Sequence, residues 1–199
     1  MTEPKKVHVV GFSDDGLQGL TSAAQECLAD ADIVIGEQSL LAQLKESSAE
    51  TWDPQGDLEA VVDRIASEPG REVVLLASGD PLFYGMARYL CERLGKERFE
   101  VLPHVSSMQM AFARVKESWD EAYLTNLASQ TVDVVVERVR TAEKVGIFTT
   151  DEYSPGYVAR TLLDRKIDYF TAYVCENLGS PDERVTFGEL AEIAVQEFA

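Results

Sequence analysis

The sequence predicts an α/β fold with two α/β domains. Short apolar, β-branched runs alternate with segments of helical apolar spacing along the 199 residues. The stretch Glu72–Ala77 is apolar after its first residue, which indicates a strand buried at the centre of a parallel sheet. The charged residues 116–121 interrupt the pattern. We therefore expect an N-terminal α/β domain (1–115), a linker (116–121) and a C-terminal α/β domain (122–199).

In the N-terminal half, the elements follow from apolar runs, caps and turn residues. Thr21 suits a helix N-cap, and Pro54-Gln55-Gly56 and residues 68–71 are typical of turns. The predicted strands are Lys6–Phe12, Asp32–Gly36, Glu72–Ala77 and Phe99–Leu102. The predicted helices are Thr21–Ala31, Ser39–Lys45, Asp57–Ser67, Leu82–Leu94 and Ser106–Arg114.

The C-terminal half shows the same alternation of strands and helices. A turn is expected at 179–182, where Gly and Pro follow an apolar run. The predicted strands are Ala122–Leu127, Lys144–Thr149, Tyr169–Glu176 and Arg184–Phe187. The predicted helices are Val132–Arg140, Pro155–Leu163 and Gly188–Phe198.

Composition and charge argue against several classes of partner and site. The net charge of −17 disfavours nucleic-acid and anionic-membrane partners, and no apolar run approaches the roughly 20 residues of a membrane span. The chain enters a strand pattern directly after residues 1–6, so we expect no signal peptide and a cytoplasmic protein. Three isolated cysteines and two distant histidines favour buried thiols and predict no metal site.

Three predicted strand ends carry turn-forming and polar residues, at 11–16, 78–81 and 103–107. In open α/β sheets, ligands bind beyond the carboxyl ends of strands. Gly79 allows close approach of the backbone to a ligand, Asp80 supplies a carboxylate and Pro81 suits the first turn of a helix. The alternative is a plain strand-to-helix turn capped by Asp80, and Ser106-Ser107 has the same alternative.

The first of these loops lacks the signature of a phosphate site. Gly11 and Gly16 match the outer glycines of a P-loop, but Leu17-Gln18 stand where Lys and a hydroxyl residue are needed. Asp14 and Asp15 would repel a pyrophosphate, and no G-x-G-x-x-G occurs. A mononucleotide or nicotinamide cofactor is therefore disfavoured.

Several stretches together resemble the tetrapyrrole methylase family, and within it the cobalt-precorrin (precorrin-6Y) C5-methyltransferases of the CbiE type. The resemblance is carried by "LASGDPLFYG" and "PHVSSMQMAFAR". The pieces "VVG", "GLT", "DADIVIGEQSLL" and "VCENLGSPDERV" fall in the family's order, so that nearly the whole chain is covered.

The resemblance implies a two-domain α/β enzyme, usually a homodimer, with S-adenosyl-L-methionine in the inter-domain cleft. Transferred by position, the cofactor-binding residues are Gly79, Asp80, Phe83, Ser106 and Ser107. Gly11 and Phe12 would border the tetrapyrrole substrate, and Tyr84 and His104 are further candidates for substrate contact. No catalytic residue is named, because methyl transfer from a sulfonium needs little acid–base chemistry.

Two departures from the family pattern bear on the substrate. The first loop is bulkier and more acidic than the family's Gly-x-Gly-Pro-Gly type, and Asn126–Gln130 lacks the His and Arg of the family's Ser-Leu-His-Gly-Arg segment. We expect methylation at C5 of a precorrin or cobalt-precorrin in cobalamin biosynthesis. The alternatives are a methyltransferase of this fold acting on another precorrin or a diphthamide precursor, and a non-catalytic binding protein.

Overall fold

The structure is a computed structural model that describes residues 4–13, 15–44 and 47–198. It divides into two compact units, one up to Ser106 and one from Ser107 onward. Within the described ranges, no helix is both long and apolar enough to cross a lipid bilayer.

The first unit is built on a five-stranded sheet in which every neighbouring pair is parallel. Its strands are β1 (Val7–Phe12), β2 (Ile33–Ile35), β3 (Glu50–Trp52), β4 (Val73–Ser78) and β5 (Phe99–Leu102). The spatial order is β3-β2-β4-β1-β5, so β4 is central, as its apolar sequence predicts. β1 lies between β4 and β5, and the ends of these three strands are neighbours.

Helices cover both faces of this sheet. They are α1 (Ser22–Ala29), α2 (Gln38–Leu41), α3 (Leu58–Ser67) and α4 (Ala87–Leu94). One apolar cluster joins Val9 and Leu75 to Ile65 of α3, and another joins Val10 and Leu76 to helices α1 and α2. Adjacent strand residues enter opposite clusters because side chains alternate across a strand.

In the second unit, the described residues form two small sheets and four helices. β6 (Tyr123–Asn126) and β7 (Val145–Phe148) are parallel, and β8 (Thr171–Glu176) and β9 (Arg184–Glu189) form an antiparallel hairpin. The helices are α5 (Ser107–Val115), α6 (Val132–Val139), α7 (Pro155–Asp164) and α8 (Leu190–Ile193). Its core is formed by buried side chains of α6, α7, α8 and β8, including Val136, Leu162, Val174 and Ile193.

The largest differences between prediction and structure concern three helices and one strand. The helix predicted from Leu82 begins at Ala87, because residues 81–86 form a turn. The helix predicted for 188–198 is reduced to α8, since β9 continues through Glu189, whose side chain forms a capping box with Glu192. β3 was not predicted: it has three residues at a sheet edge, and none of them is buried. The helix predicted at 39–45 ends at Leu41, and Lys45 lies outside the described residues.

The boundary between the two compact units lies nine residues before the predicted linker, because α5 belongs with the second unit. Met108 of α5 lies close to Gly146 of β7, and Met110 lies close to Gly179. Arg114 donates to both carboxylate oxygens of Glu183, in the segment that joins β8 to β9. A role of residues 116–121 as a domain linker stays a prediction.

The Arg114–Glu183 pair fixes the end of α5 to this hairpin segment. Arg114 and the backbone N–H of Gly179, which donates to Glu183 at 2.8 Å, together lower the pKa of this carboxyl group to about 2. The pKa is lower in the folded chain than in the unfolded chain. The pair therefore stabilises the fold above the ordinary glutamate pKa, and this contribution is lost as the pH falls toward 2.

We predict that Glu183→Gln lowers the urea midpoint of unfolding at neutral pH, and that the difference from the wild type shrinks as the pH falls to about 2. The control is Glu143→Gln, which removes the same charge from an exposed residue of the same unit. A difference that stays constant over this pH range would contradict the assignment.

Candidate functional site

Three loops meet at the carboxyl edge of the first unit's sheet. They follow β1, β4 and β5, which are adjacent in the sheet. The backbone N–H of Gly79 donates to the carbonyl of Phe12 at 2.8 Å, so the first two loops are joined where their strands end. The structure thus brings together the three strand ends that the sequence analysis selected.

Gly11 permits the close approach of the three loops. A Cβ at this position would lie 2.5 Å from the backbone nitrogen of His104 and 2.8 Å from its Cβ, and it would overlap the carbonyl oxygen of Gly79. Real Cβ atoms do not come this close to backbone atoms. A side chain at Gly11 would therefore force the loops apart.

Gly79 permits a close contact between the loops after β4 and β5. Its φ of +63° is accessible to glycine at little cost, and a Cβ there would lie 3.2 Å from the Cα of Ser106. Both residues are buried. Ser106 thus packs closely beside Gly79, and contact of the Gly79 backbone with a ligand stays a prediction.

The loop after β4 is a tight turn. The side chain of Asp80 accepts a hydrogen bond from the backbone N–H of Leu82 at 2.9 Å. The backbone carbonyl of Asp80 accepts one from the N–H of Phe83 at 3.0 Å. The carbonyl of Pro81 accepts from Ala87 at 3.2 Å, at the first residue of α4. Asp80 therefore closes a turn rather than capping a helix, and Pro81 precedes α4 instead of lying in its first turn.

The predicted site residues differ in exposure. Tyr84 and Ser107 are exposed, and Asp80, Phe83 and His104 are half-buried. Phe12 is fully buried in the core behind the sheet edge, so only its carbonyl takes part in the loop junction. Ser107 begins α5 and belongs to the second unit.

His104 holds the first loop to the turn after β5. Its Nε2 lies 3.1 Å from the carbonyl oxygen of Gly19, which indicates the tautomer in which Nε2–H donates, and 3.5 Å from Asp15 Oδ2. Ser13 Oγ donates to the other oxygen of Asp15 at 2.6 Å. Sequence reasoning identified His104 but missed these partners, because 85 residues separate His104 from Gly19. Asp14 lies outside the described residues.

The charges of the three loops favour a cationic ligand. Residues 13–20, 79–86 and 103–106 contain carboxylates, including Asp15 and Asp80, and neither Lys nor Arg. Phosphate sites in proteins rely on basic side chains or on free N–H groups at a helix start. This edge therefore suits an ammonium or sulfonium group better than a phosphate.

Thiols and metal ligands are not gathered here. The part of the chain that the structure describes has no group of three or more His, Cys, Asp and Glu side chains that could hold a metal ion. All three cysteines are free and half-buried, and burial raises the pKa of each thiol. None of the three, Cys27, Cys91 and Cys175, lies in the three loops.

Comparison with known proteins gives a consistent result. The family model of the tetrapyrrole (corrin/porphyrin) methylases matches residues 6–194. A precorrin-6Y C(5,15)-methyltransferase (decarboxylating) of a Sinorhizobium species is 32% identical over 181 residues, which are 89% of this chain and 43% of that protein. The cobalt-precorrin-7 C(5)-methyltransferase of Salmonella typhimurium is 30% identical over 177 residues, covering 89% of this chain and 87% of that protein.

A solved structure agrees at the level of the fold. It is the uroporphyrin-III C-methyl transferase from Thermus thermophilus complexed with S-adenyl homocysteine. The TM-score is 0.70 at 19% identity, covering 95% of this chain and 85% of that chain.

We predict that Gly11→Ala destabilises the protein by about 1–3 kcal/mol, because the new methyl group overlaps the backbone of two loops. The thermal unfolding temperature should fall by roughly 2–4 °C for each kcal/mol. Gly70→Ala is the control: it is exposed, and a Cβ there meets nothing within 4 Å. Equal unfolding temperatures for the two variants would contradict the assigned role of Gly11.

Proposed function

Because the chain belongs to the tetrapyrrole (corrin/porphyrin) methylase family, we propose that it transfers a methyl group from S-adenosyl-L-methionine to C5 of a precorrin or cobalt-precorrin ring in cobalamin biosynthesis. The observation that carries this proposal is the match to the cobalt-precorrin-7 C(5)-methyltransferase of Salmonella typhimurium, which extends over most of both chains. The Sinorhizobium relative is named for C5 and C15, but this chain spans 43% of its length. The proposal is therefore limited to one methyl group, at C5.

The cofactor fits the chemistry of the three loops. S-adenosylmethionine carries a sulfonium and an ammonium group, and the loops offer carboxylates without competing Lys or Arg. We assign cofactor contact to the turn after β4 and to the serines after β5. These residues are Gly79, Asp80, Phe83, Ser106 and Ser107.

In this mechanism the protein binds, orients and excludes water. The bound cofactor would supply an electrophilic methyl group on its sulfonium. When that methyl group is transferred, the cofactor leaves as a neutral sulfide, which needs no proton. The chain's own contribution is a turn fixed by the Asp80 and Pro81 hydrogen bonds, which presents the half-buried ring of Phe83 at a defined position. Fixed orientation of the reacting groups supplies most of the acceleration in such a displacement.

A precorrin carries carboxylates, and its binding must overcome the protein's negative charge. Three arginines of the chain already have partners: Arg88 pairs with Glu92, Arg114 pairs with Glu183, and Arg160 donates to the carbonyl of Ala194. The stretch Asn126–Gln130 lacks basic residues as well. These features favour a non-catalytic binding protein as the second candidate, and the ligand measurements below separate the two.

A homodimer and a cytoplasmic location are parts of the proposal that rest on the resemblance and on composition. Support for self-association comes from an exposed apolar face of the β8–β9 hairpin. Tyr173 pairs with Phe187 across the strands, with their ring centroids 4.8 Å apart, and Val185 lies on the same face. All three side chains are exposed.

Asp80→Asn should weaken binding of S-adenosylhomocysteine about five- to tenfold in isothermal titration. Asparagine can still accept from the N–H of Leu82, but the charge that favours the ligand's ammonium group is lost. Asp53→Asn is a matched control, because Asp53 accepts from Gln55 in a turn of the same kind after β3. Equal affinities for Asp80→Asn and the wild type would contradict the cofactor assignment.

Incubation of the wild type with precorrin substrate and S-adenosylmethionine should add a single methyl group by mass spectrometry. Two added methyl groups, or loss of carbon dioxide, would contradict the limit to C5. Binding of S-adenosylhomocysteine without methyl transfer would favour the binding-protein alternative.

Phe187→Glu should shift the protein from dimer to monomer in sedimentation velocity, because a charge cannot be buried at an apolar interface without a large penalty. Tyr157→Glu is the control, since Tyr157 is exposed on α7. A wild type that sediments as a monomer would refute the homodimer.

A further inference from the structure

The large apolar side chains that are exposed in the described part of the first unit are confined to one edge of its sheet. Among its described residues, the exposed large hydrophobic side chains all lie in the loops after β1, β4 and β5. They are Leu17, Leu82, Tyr84 and Val105, between 43% and 59% exposed. The rest of that unit buries or half-buries its large apolar side chains, so exposure at this edge is selective.

Tyr84 has a strained backbone conformation. Its φ is +59°, in the left-handed region that costs a bulky residue free energy. The other described non-glycine residues with positive φ are all exposed and polar. They are Gln55, Lys116, Glu121, Lys166 and Asn177.

The surrounding turn imposes this strain from both sides. Before Tyr84, Asp80 accepts from the N–H groups of Leu82 and Phe83. After it, Gly85 packs so tightly on Pro81 that a Cβ would lie 2.7 Å from the carbonyl carbon of Pro81. If Tyr84 had only a packing role, burial of its ring would offset the free energy of the strained backbone. Tyr84 is instead 47% exposed.

The rings of Phe83 and Tyr84 contact each other. They meet edge to face, with ring centroids 4.9 Å apart and an interplanar angle of 61°. The two rings therefore form an ordered aromatic pair, beside the exposed side chain of Leu82. We call Phe83 and Tyr84 the aromatic pair.

We propose that the strained turn at Tyr84 holds the aromatic pair as a contact surface for the face of an extended unsaturated ring, and that Tyr84 is a specificity-determining residue. This inference rests on the proposed function, which supplies two such rings, the tetrapyrrole macrocycle and the adenine of the cofactor. Stacking on an aromatic ring combines burial of apolar area with favourable ring geometry.

The test is Tyr84→Asn, because asparagine tolerates the left-handed region better than tyrosine does. Releasing the strain should leave the thermal unfolding temperature unchanged or raise it by about 2–4 °C. Ligand binding should nevertheless weaken by roughly tenfold, as expected for loss of a stacked aromatic ring. A stabilising substitution that impairs binding separates a binding role from a structural one.

Two ligands identify the ring. Uroporphyrin is titrated by its change in absorbance in roughly 1 M salt, where a Debye length of about 3 Å screens the repulsion between two anions. S-adenosylhomocysteine is titrated by calorimetry. Weaker uroporphyrin binding by Tyr84→Asn assigns the aromatic pair to the macrocycle, and weaker S-adenosylhomocysteine binding assigns it to adenine.

Two further variants serve as controls. Tyr84→Phe keeps the ring and the strain, and should bind both ligands within about twofold of the wild type. Gln55→Asn places asparagine at another positive-φ position of the same unit and should change neither affinity. Unchanged binding of both ligands by Tyr84→Asn, or a lower unfolding temperature, would overturn the proposal.

Failure of the proposed function would look different. If the wild type binds S-adenosylhomocysteine but transfers no methyl group to a precorrin, that function fails. The comparison of Tyr84→Asn with Tyr84→Phe still tests the aromatic pair, because it measures ligand affinity and unfolding temperature rather than turnover.

Discussion

The site depends on the close approach of three backbone segments at Gly11. The carbonyl of Gly79 and the backbone of His104 occupy the space that a side chain at Gly11 would need. Gly79 allows a second close contact of this kind, because Ser106 occupies the space beside it that a side chain would need. Loops that pack on each other through the backbone have little freedom to move apart. The side chains that they carry therefore start from fixed positions, which lowers the entropy lost on binding a ligand.

Much of the fold could be predicted from the sequence because its signals are local. β5 has the predicted bounds, and α3 begins after Asp57, whose side chain caps it by accepting from Ala60. The exceptions have nonlocal causes. β3 is paired by the sheet rather than by its own apolar pattern, and the start of α4 is delayed by a turn closed by the Asp80 side chain.

The site was less predictable than the fold. Strand polarity alone placed the three loops at one edge, because the carboxyl ends of parallel strands lie on the same side of a sheet. Which surface of each loop faces solvent depends on contacts between residues far apart in sequence. The close packing of Ser106 against Gly79 and the strained backbone of Tyr84 have no local signature in the sequence. The bond from His104 to Gly19 also required the folded sheet.

At this edge of the sheet, the carboxylates and the exposed apolar side chains favour different parts of the ligands. A protein with a net charge of −17 attracts a cationic cofactor and repels a polycarboxylate at long range. At physiological ionic strength the Debye length is about 8 Å, so this repulsion acts over a short distance. Affinity for an anionic macrocycle must then come from contacts made after the charges are screened. Leu82, Tyr84 and Val105 provide apolar area for such contacts. On the proposed function, the carboxylates thus favour the cationic methyl donor, and the rings and aliphatic side chains of the same loops offer apolar contact to an unsaturated ring, either the macrocycle or the adenine of the cofactor.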